Sequence, residues 1–314
     1  MTARPAPPAP PARPARPLIS VVIPTYNRAA LLRAAVQSVL GQTYDSWELV
    51  VVDDGSTDET AAYLDTLTDA RVRHVVRAHS GNAALTRNFG ARAARGSHVA
   101  FLDSDDLWRP EKLVLQMEDL EARPECGWSY TGVALVDEGG RELHPAGGRP
   151  WMARRGWILE DVVDRPALVA TSSVLVRRQL FETVGGFNES LLRCHDLDLW
   201  IRLAEVSPAS VVARPVTQWR QHPGNQRVGG LDVLGYRNRI YEALMERTSS
   251  PRVRRLCRRQ RIRVSLDFVR GLRAAGRYAE ARQALAFSFP YGGRHPGWWI
   301  AMLQMCLRRG IRGR

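Results

Sequence analysis

Residues 18–28 read LISVVIPTYNR, and everything else in the fold is laid out from them. The run 18–24 is short, β-branched and apolar but for Ser20, as suits a strand buried on both faces. It stops abruptly at the polar turn Thr25-Tyr26-Asn27-Arg28. The next stretch, AALLRAAVQSVLGQ (29–42), places Leu32, Val36, Val39 and Leu40 on one helical face, and Gly41 ends it. WELVVVDD (47–54) is a second buried strand, closing on two carboxylates. Residues 57–67 read as a second helix with Ser56 or Thr57 as its cap. VRHVVRA (72–78) is a third strand, NAALTRNFGARAA (82–94) a third helix, and SHVAFLDSDD (97–106) a fourth strand that again closes on acids. Strand and helix alternating at this spacing predict an α/β fold: a mostly parallel central sheet with right-handed crossovers. Further on, helix is expected over 110–121 and strand over 127–136 and 170–176.

In open α/β sheets, ligands bind outside the carboxyl ends of the strands. Thr25–Arg28, Asp53-Asp54 and Asp103-Ser104-Asp105-Asp106 all lie at such ends and should meet in one crevice. Asp103 and Asp105 stand two apart and could share a hard divalent cation, or they could form an acidic turn that caps the helix near Pro110. Asp54 could accept from a base N–H or a ribose hydroxyl, or serve the turn chemistry of DDGSTD, where Asp58 could be a cap. Tyr26 could stack on a base or be structural. Arg87 could pair with phosphate or be solvated. In CHDLDLWIRLAE (194–205), Asp196 opens a packed helix at the positive end of its dipole. That suits a general base, though such a position is more often an N-cap, and Asp198 is its neighbouring competitor. His222, in WRQHPGNQRV (219–228), could be a metal ligand or phosphate contact, or an ordinary loop residue.

The chain has 314 residues, with 45 Lys+Arg against 32 Asp+Glu and a net charge of +13. Its only lysine is Lys112. The charge favours anionic partners such as nucleotide phosphates or anionic lipid. No nucleic-acid recognition motif or aromatic-basic platform accompanies it, so nucleic acid is not an expected partner. Cys126, Cys194, Cys257 and Cys306 are scattered without zinc spacing and read as reduced thiols of a cytosolic protein. Residues 1–17, rich in Pro, Ala and Arg, read as a disordered tail with no secretory h-region. No run of ~18 apolar residues exists, so no membrane span is expected. From about residue 229 the chain turns helical and basic, with a hairpin over 271–289. An aromatic apolar run, 298–307, lies between Arg-rich stretches at 252–263 and 308–314. That pairing suits contact with an anionic membrane surface. Its plainer alternative is packing on the rest of the protein.

Taken together, SVVIPTYNR (20–28), VVDDGSTDET (51–60), TRNFGARAARGSHVAFLDSDDLWRPEKL (86–113), SSVLVRRQLFETVGGFNESL (172–191) and HDLDLWIRLAE (195–205) resemble glycosyltransferase family 2. The resemblance covers roughly residues 18–225. It implies a Rossmann-like nucleotide-diphospho-sugar transferase (GT-A) fold with a C-terminal helical extension. By it, residues 18–228 form the catalytic domain and 229–314 the extension. It also implies an inverting transfer of one sugar from a nucleotide-sugar donor to a carbohydrate or lipid-linked acceptor, assisted by Mn²⁺ or Mg²⁺. Asp103 and Asp105 correspond to its DXD pair, with Asp105 the more direct ligand, and Asp196 to its base. The donor-nucleotide candidates are Pro24, Thr25, Tyr26, Asn27, Asp54, Arg87 and Ser104; the metal candidates are Asp103, Asp105 and His222. Many relatives carry Glu-Asp where this chain has His195-Asp196, which alters the surroundings of the base. The Gln-x-x-Arg-Trp motif of the processive synthases is absent. A nucleotidylyltransferase could share the fold and the acids, but would carry a Gly-rich basic phosphate loop near the first strand, and PTYNR is not one. The Trp151 and Trp157 side chains, in the acceptor-facing stretch 137–170, suit sugar stacking or the core. The protein is expected to be cytoplasmic, at the inner face of the membrane if the basic helices bind it.

Overall fold

Strand β1 (Ile19–Thr25) is buried except at Pro24 because both of its faces are covered. Val21 and Ile23 pack among Leu32, Val36 and Val39 on one side, while Val22 faces Val99, Phe101 and Trp128 on the other. The two-residue alternation of a strand thus feeds two separate cores, so the strand is apolar between its polar ends except at Ser20, whose buried hydroxyl donates to Glu48 of the neighbouring strand at 2.6 Å. The computed structural model describes residues 16–143, 151–165, 169–222 and 231–307. After β1 come α1 (Ala29–Leu40), β2 (Trp47–Asp53), α2 (Thr60–Leu64), β3 (Val72–Val76), α3 (Ala83–Ala93) and β4 (His98–Phe101). β1 lies between β2 and β4, parallel to both, and β3 extends β2 in parallel. The Asp54 N–H donates to Thr25 O at 2.9 Å and that of Leu102 to Val22 O at 3.0 Å, so the pairing continues past the strand ends. α3 rides close on this sheet at Gly90, where a Cβ would stand 2.5 Å from Val22 Cγ1.

The second half adds β5 (Leu107–Trp108), α4 (Lys112–Glu121), β6 (Trp128–Val136), α5 (Leu159–Asp164), β7 (Leu175–Arg177), α6 (Arg178–Thr183), α7 (His195–Val206) and β8 (Ala209–Arg220). The eight strands form one sheet in the order β3-β2-β1-β4-β7-β6-β8-β5. It is parallel through β4; β7 then pairs antiparallel with both neighbours, and β6 and β8 are parallel to each other. In α4, Lys112 is completely buried. Its Nζ donates to Gln116 Oε1 at 2.6 Å and lies 3.9 Å from the centre of the Trp108 ring. Burial pushes its pKa well below the usual lysine range.

Helices α8 (Leu231–Arg247), α9 (Pro251–Ala274), α10 (Tyr278–Gly292) and α11 (Pro296–Leu307) complete the described chain. Packing runs on across position 229: Ile240, Tyr241, Leu244, Val253 and Cys257 share a core with Trp128 and Trp200. Gln260 Nε2 donates to Asp164 O at 2.9 Å, fastening α9 to α5. Leu272, Leu285, Trp298 and Ala301 form a smaller core of their own. The expected hairpin turns at Gly276, whose φ of 74° suits glycine. No described helix is long and apolar enough to cross a membrane.

Three local expectations need correction. The helix expected over 57–67 is only Thr60–Leu64, and neither Ser56 nor Thr57 caps it. The Ser56 hydroxyl bonds Asp53 instead, and the Thr57 N–H is held by Asn27. The strand expected over 170–176 is a 3-10 turn at Thr171–Ser173 followed by the three residues of β7, because Ser172 and Ser173 are drawn into local and long-range hydrogen bonds. The 12-residue β8, the longest strand, was not expected at all. Its middle residues, Ala213, Arg214 and Pro215, are exposed and break the apolar pattern. The residues 1–15 of the expected tail and the arginines of 308–314 lie outside the described residues.

Burial, then the nearby charge of Arg177, lowers the His98 pKa from 6.5 to about 4, and burial with Arg87 does the same to His195. An unfolded chain takes up these protons near pH 6.5, whereas the folded chain resists until about pH 4. Stability is therefore full above that window and falls as the pH drops through it, by up to about 1.4 kcal/mol per pH unit for each histidine. Urea unfolding across the window should show a slope of this sign, and His98→Gln should make it shallower.

Candidate active site

The ends of β1, β2 and β4 open onto a cleft of ≈ 350 Å³. Its wall contains Pro24, Thr25, Tyr26, Arg28, Asp54, Arg87, Asp103, Ser104 and Asp105, with His79 and residues 81–83 of the approach to α3. Tyr26 is 39% exposed and stacks on His79, ring centres 3.9 Å apart and planes at 20°. Thr25 Oγ1, buried beside it, makes no hydrogen bond to the protein. The turn after β2 needs glycine: Gly55 has φ of 78°, and a Cβ there would stand 2.9 Å from the His79 N.

Asp54 is 5% exposed and richly bonded. Its Oδ2 accepts from the backbone N–H groups of Ser80 and Gly81, each at 3.0 Å. Its Oδ1 accepts from Arg77 at 2.8 Å, from the Ser80 hydroxyl at 2.9 Å and from Thr86 at 3.3 Å. Burial alone would raise this carboxyl. The Ser80 and Gly81 hydrogen bonds and the Arg77 charge outweigh it and hold the pKa below 3.8. Asp54 thereby fastens the loop that carries His79 to the end of β2.

Past β4, Asp103, Asp105 and Asp106 each aim a carboxylate oxygen into one spot, all within 4.8 Å of one another. Burial, then the charges of Asp103 and Asp105, drives the Asp106 pKa well above the carboxylate range. Cationic and hydrogen-bonding partners arrive from four directions. Arg28 pairs with Asp105, Arg87 with Asp103, and His222 Nε2 lies 3.1 Å from Asp105 Oδ2. Arg220, at the end of β8, donates from Nε to Asp105 O at 2.7 Å and from its backbone N–H to Asp106 at 3.3 Å. The Ser172 hydroxyl donates to Asp106 and accepts from the Asp103 N–H. Three crowded carboxylates with oxygen as their only donor atom suit Mn²⁺ or Mg²⁺. A cation seated on Asp103 and Asp105 would take over the neutralising work of the Arg28 and Arg87 guanidinium groups.

Arg87 also links the cleft to α7. One guanidinium nitrogen bonds Asp103 and the other donates to His195 Nε2 at 2.8 Å. A guanidinium only donates, so His195 accepts there and its proton sits on Nδ1. That agrees with the depressed pKa, which keeps the ring neutral. Cys194, at the N-cap position of α7, adopts φ of 58°, a left-handed conformation unusual for a residue other than glycine. Asp196 follows in the first turn, half-buried. Its competitor Asp198 is turned into the fold, ion-paired with Arg202 at 2.7 Å, and Arg202 also bonds the carbonyls of Val184 and Gly186.

Of the residues singled out in the sequence, Pro24, Thr25, Tyr26, Asp54, Arg87, Asp103, Ser104 and Asp105 share the cleft wall. Asn27, Asp196 and His222 do not line it. Asn27, at φ of 48°, accepts from the Thr57 N–H at 2.7 Å and donates its own N–H to Ser56, tying two loops together. His222 backs Asp105, and Asp196 stands next to the residue that Arg87 holds. Residues not singled out are His79, Arg77, Ser172 and Arg220, whose partners are distant in sequence. Arg28 and Asp106 stood inside clusters already marked, without a role.

The family model described as glycosyl transferase family 2 matches residues 20–180. The chain belongs to this family. Among family relatives, the putative teichuronic acid biosynthesis glycosyltransferase TuaG of Bacillus subtilis is 40% identical over 128 residues, which is 40% of this chain and 50% of that protein. The chain thus matches half the length of that relative. Two solved structures share the fold. Staphylococcus aureus TarS 1–349 in complex with UDP-GlcNAc has a TM-score of 0.63 at 17% identity, covering 91% of this chain and 80% of the other. The mannosyltransferase PcManGT of Pyrobaculum calidifontis, in complex with GDP-Man and Mn²⁺, has a TM-score of 0.58 at 20% identity, covering 93% and 81%. The expected GT-A architecture and helical C-terminal region are therefore both found in this chain.

Asp105→Ala should abolish binding of Mn²⁺, measured by titration calorimetry in the absence of donor. Retention of wild-type Mn²⁺ affinity would remove Asp105 from the cation site.

Proposed function

We propose that this transferase is metal-dependent and inverting, and moves a single sugar from a nucleotide-diphosphate sugar, a UDP-sugar, to a hydroxyl of a carbohydrate or lipid-linked acceptor. The observation that carries the reading is the meeting of two acids, Asp103 and Asp105, backed by Asp106, and an exposed aromatic stack in one cleft at the carboxyl ends of parallel strands. The stack suits a nucleobase and the acids a diphosphate-bound cation. The cocrystallised ligands of TarS and PcManGT support a nucleotide-sugar donor and Mn²⁺, and TuaG supports a place in cell-surface polysaccharide assembly. Residues 18–228 act as the catalytic unit and 229–314 as a basic extension. Free cysteines at 126, 194 and 257 suit a reducing, cytoplasmic setting.

In this reading Tyr26 and His79 hold the base, with Pro24, Thr25 and Asn27 shaping the turn around the nucleoside. Asp54 accepts from the base or the ribose through Oδ1, whose present donors are side chains free to rotate, while backbone N–H groups keep Oδ2 in place. Arg87 and Ser104 face the diphosphate. Asp103 and Asp105 hold the cation, with Asp106 and His222 behind them. When bound, the cation offsets the charge that builds on the departing diphosphate. Asp196 takes the acceptor proton as the acceptor oxygen attacks the anomeric carbon from the face opposite the diphosphate. The new C–O bond forms as the bond to the nucleoside diphosphate breaks, and the configuration inverts. The neutral His195 leaves Asp196 as the base at this helix start.

The test is product stereochemistry by NMR from a panel of UDP-sugars with Mn²⁺; a retained anomeric configuration would overturn the inverting assignment. Asp196→Asn should leave donor affinity nearly unchanged and lower turnover by ~10²–10⁴. Asp198→Asn should instead cost about 1–3 kcal/mol of stability, seen in urea unfolding, because Arg202 loses a buried partner. If donor affinity collapses in Asp196→Asn, the base lies elsewhere.

A further inference from the structure

The C-terminal helices carry a surface that the transfer reaction does not use. Trp298 fixes α11 on α10: its indole N–H donates to Leu285 O at 3.1 Å and lies 3.0 Å from Ser288 Oγ, and its ring is 4% exposed. The opposite side of α11 is also apolar. Trp299, Ile300 and Leu303 are 48%, 54% and 59% exposed, and their spacing along one helix makes them a continuous strip. Phe289 of α10, 51% exposed, lies edge-on to Trp299 with ring centres 6.4 Å apart and widens it. Contiguous exposed apolar surface of this kind marks a contact site.

The surroundings identify the partner. Between Phe268 and Leu307 the sequence has five arginines, at 270, 273, 277, 282 and 294, and one acid, Glu280. Arg270 and Arg273 line a cleft of ≈ 450 Å³ with Ala274, Gly276 and Tyr278. Arg273 donates to Gln304, the residue after Leu303, so the cationic cleft adjoins the apolar strip. Arg270 is shared with Asp267 and Arg277 with Glu280, but the balance stays strongly positive. Past Leu307 the sequence continues RRGIRGR, four more cations and no acid.

We propose that this face docks on an anionic lipid bilayer, with Phe289, Trp299, Ile300 and Leu303 at the interface and Arg270 and Arg273 on lipid phosphates. Aromatic and aliphatic side chains enter the interfacial zone, and arginine pairs with anionic head groups. A second copy of the chain is a poorer occupant, because a two-fold contact would bring the same arginines face to face. The inference goes beyond the transfer reaction and does not depend on it.

The test is co-sedimentation of the full chain with vesicles of phosphatidylcholine alone and of phosphatidylcholine with phosphatidylglycerol. The wild type should pellet with the anionic vesicles and not with the neutral ones. The triple variant Trp299→Ser, Ile300→Ser, Leu303→Ser should lose that binding, while its unfolding transition and its donor hydrolysis match the wild type. Arg270→Gln with Arg273→Gln should weaken partitioning by roughly fivefold per arginine and reduce its sensitivity to salt; this pair decides the matter if the triple variant does not fold. Equal pelleting of wild type and both variants would overturn the proposal. So would a wild type indifferent to the anionic lipid, or a homodimer in velocity sedimentation that the triple variant dissolves. Donor hydrolysis without vesicle binding would sink this inference and leave the reaction intact.

Discussion

Asp103, Asp105 and Asp106 follow β4 within four residues of one another, and one oxygen of each lies within 4.8 Å of the others. Like charges this close in a partly dry cleft repel strongly. Much of the surrounding architecture answers that repulsion. Arg28 comes from the loop after β1, Arg87 from α3, Arg220 and His222 from the end of β8, and Ser172 from the turn before β7. Four pieces of chain, one of them 117 residues from Asp105 in sequence, are held in register by one anionic knot. The same knot is where an incoming cation has most to gain, since the present countercharges are side chains that can swing aside.

The parallel half of the sheet was legible because its strands are buried on both faces, which favours largely apolar runs such as 18–24 and 47–52, broken only by the mutually bonded pair Ser20 and Glu48, and because the polar clusters stand where those runs end. The acids and Tyr26 stood out for that reason. β8 was hidden: Arg214 and Pro215 interrupt it at an exposed bend, and its final residue is an arginine whose partners lie 115 and 114 residues upstream. His79 and Arg77 were hidden in the same way, since their value comes from Asp54, more than twenty residues earlier. Helix capping misled for the opposite reason: Ser56 and Thr57 had the right chemistry, but the Ser56 hydroxyl donates to Asp53 and accepts from the Asn27 N–H, and the Thr57 N–H is held by the Asn27 side chain.

The start of α7 shows how one helix serves the fold and the site together. Leu197, Leu199, Trp200 and Ile201 are buried in the larger core, and Asp198 with Arg202 ties down the preceding loop. With that body fixed, the first turn is free to present polar groups, and the left-handed Cys194 sets the angle at which it does so. Arg87 then carries the position of this turn to Asp103 through a single guanidinium.

Lys112 has a consequence for how this protein is handled. In a chain of 45 Lys+Arg, the one lysine is completely buried, its Nζ bonded to the neutral Gln116 side chain. Arginine could not replace it, because a guanidinium keeps its charge, whereas an amine can shed its proton. The chain's only ε-amino group is therefore out of reach in the native state. Amine-directed labels, crosslinkers and trypsin's lysine cleavage would all pass it by until the molecule opens, which makes acylation of Lys112 a chemical clock for global unfolding.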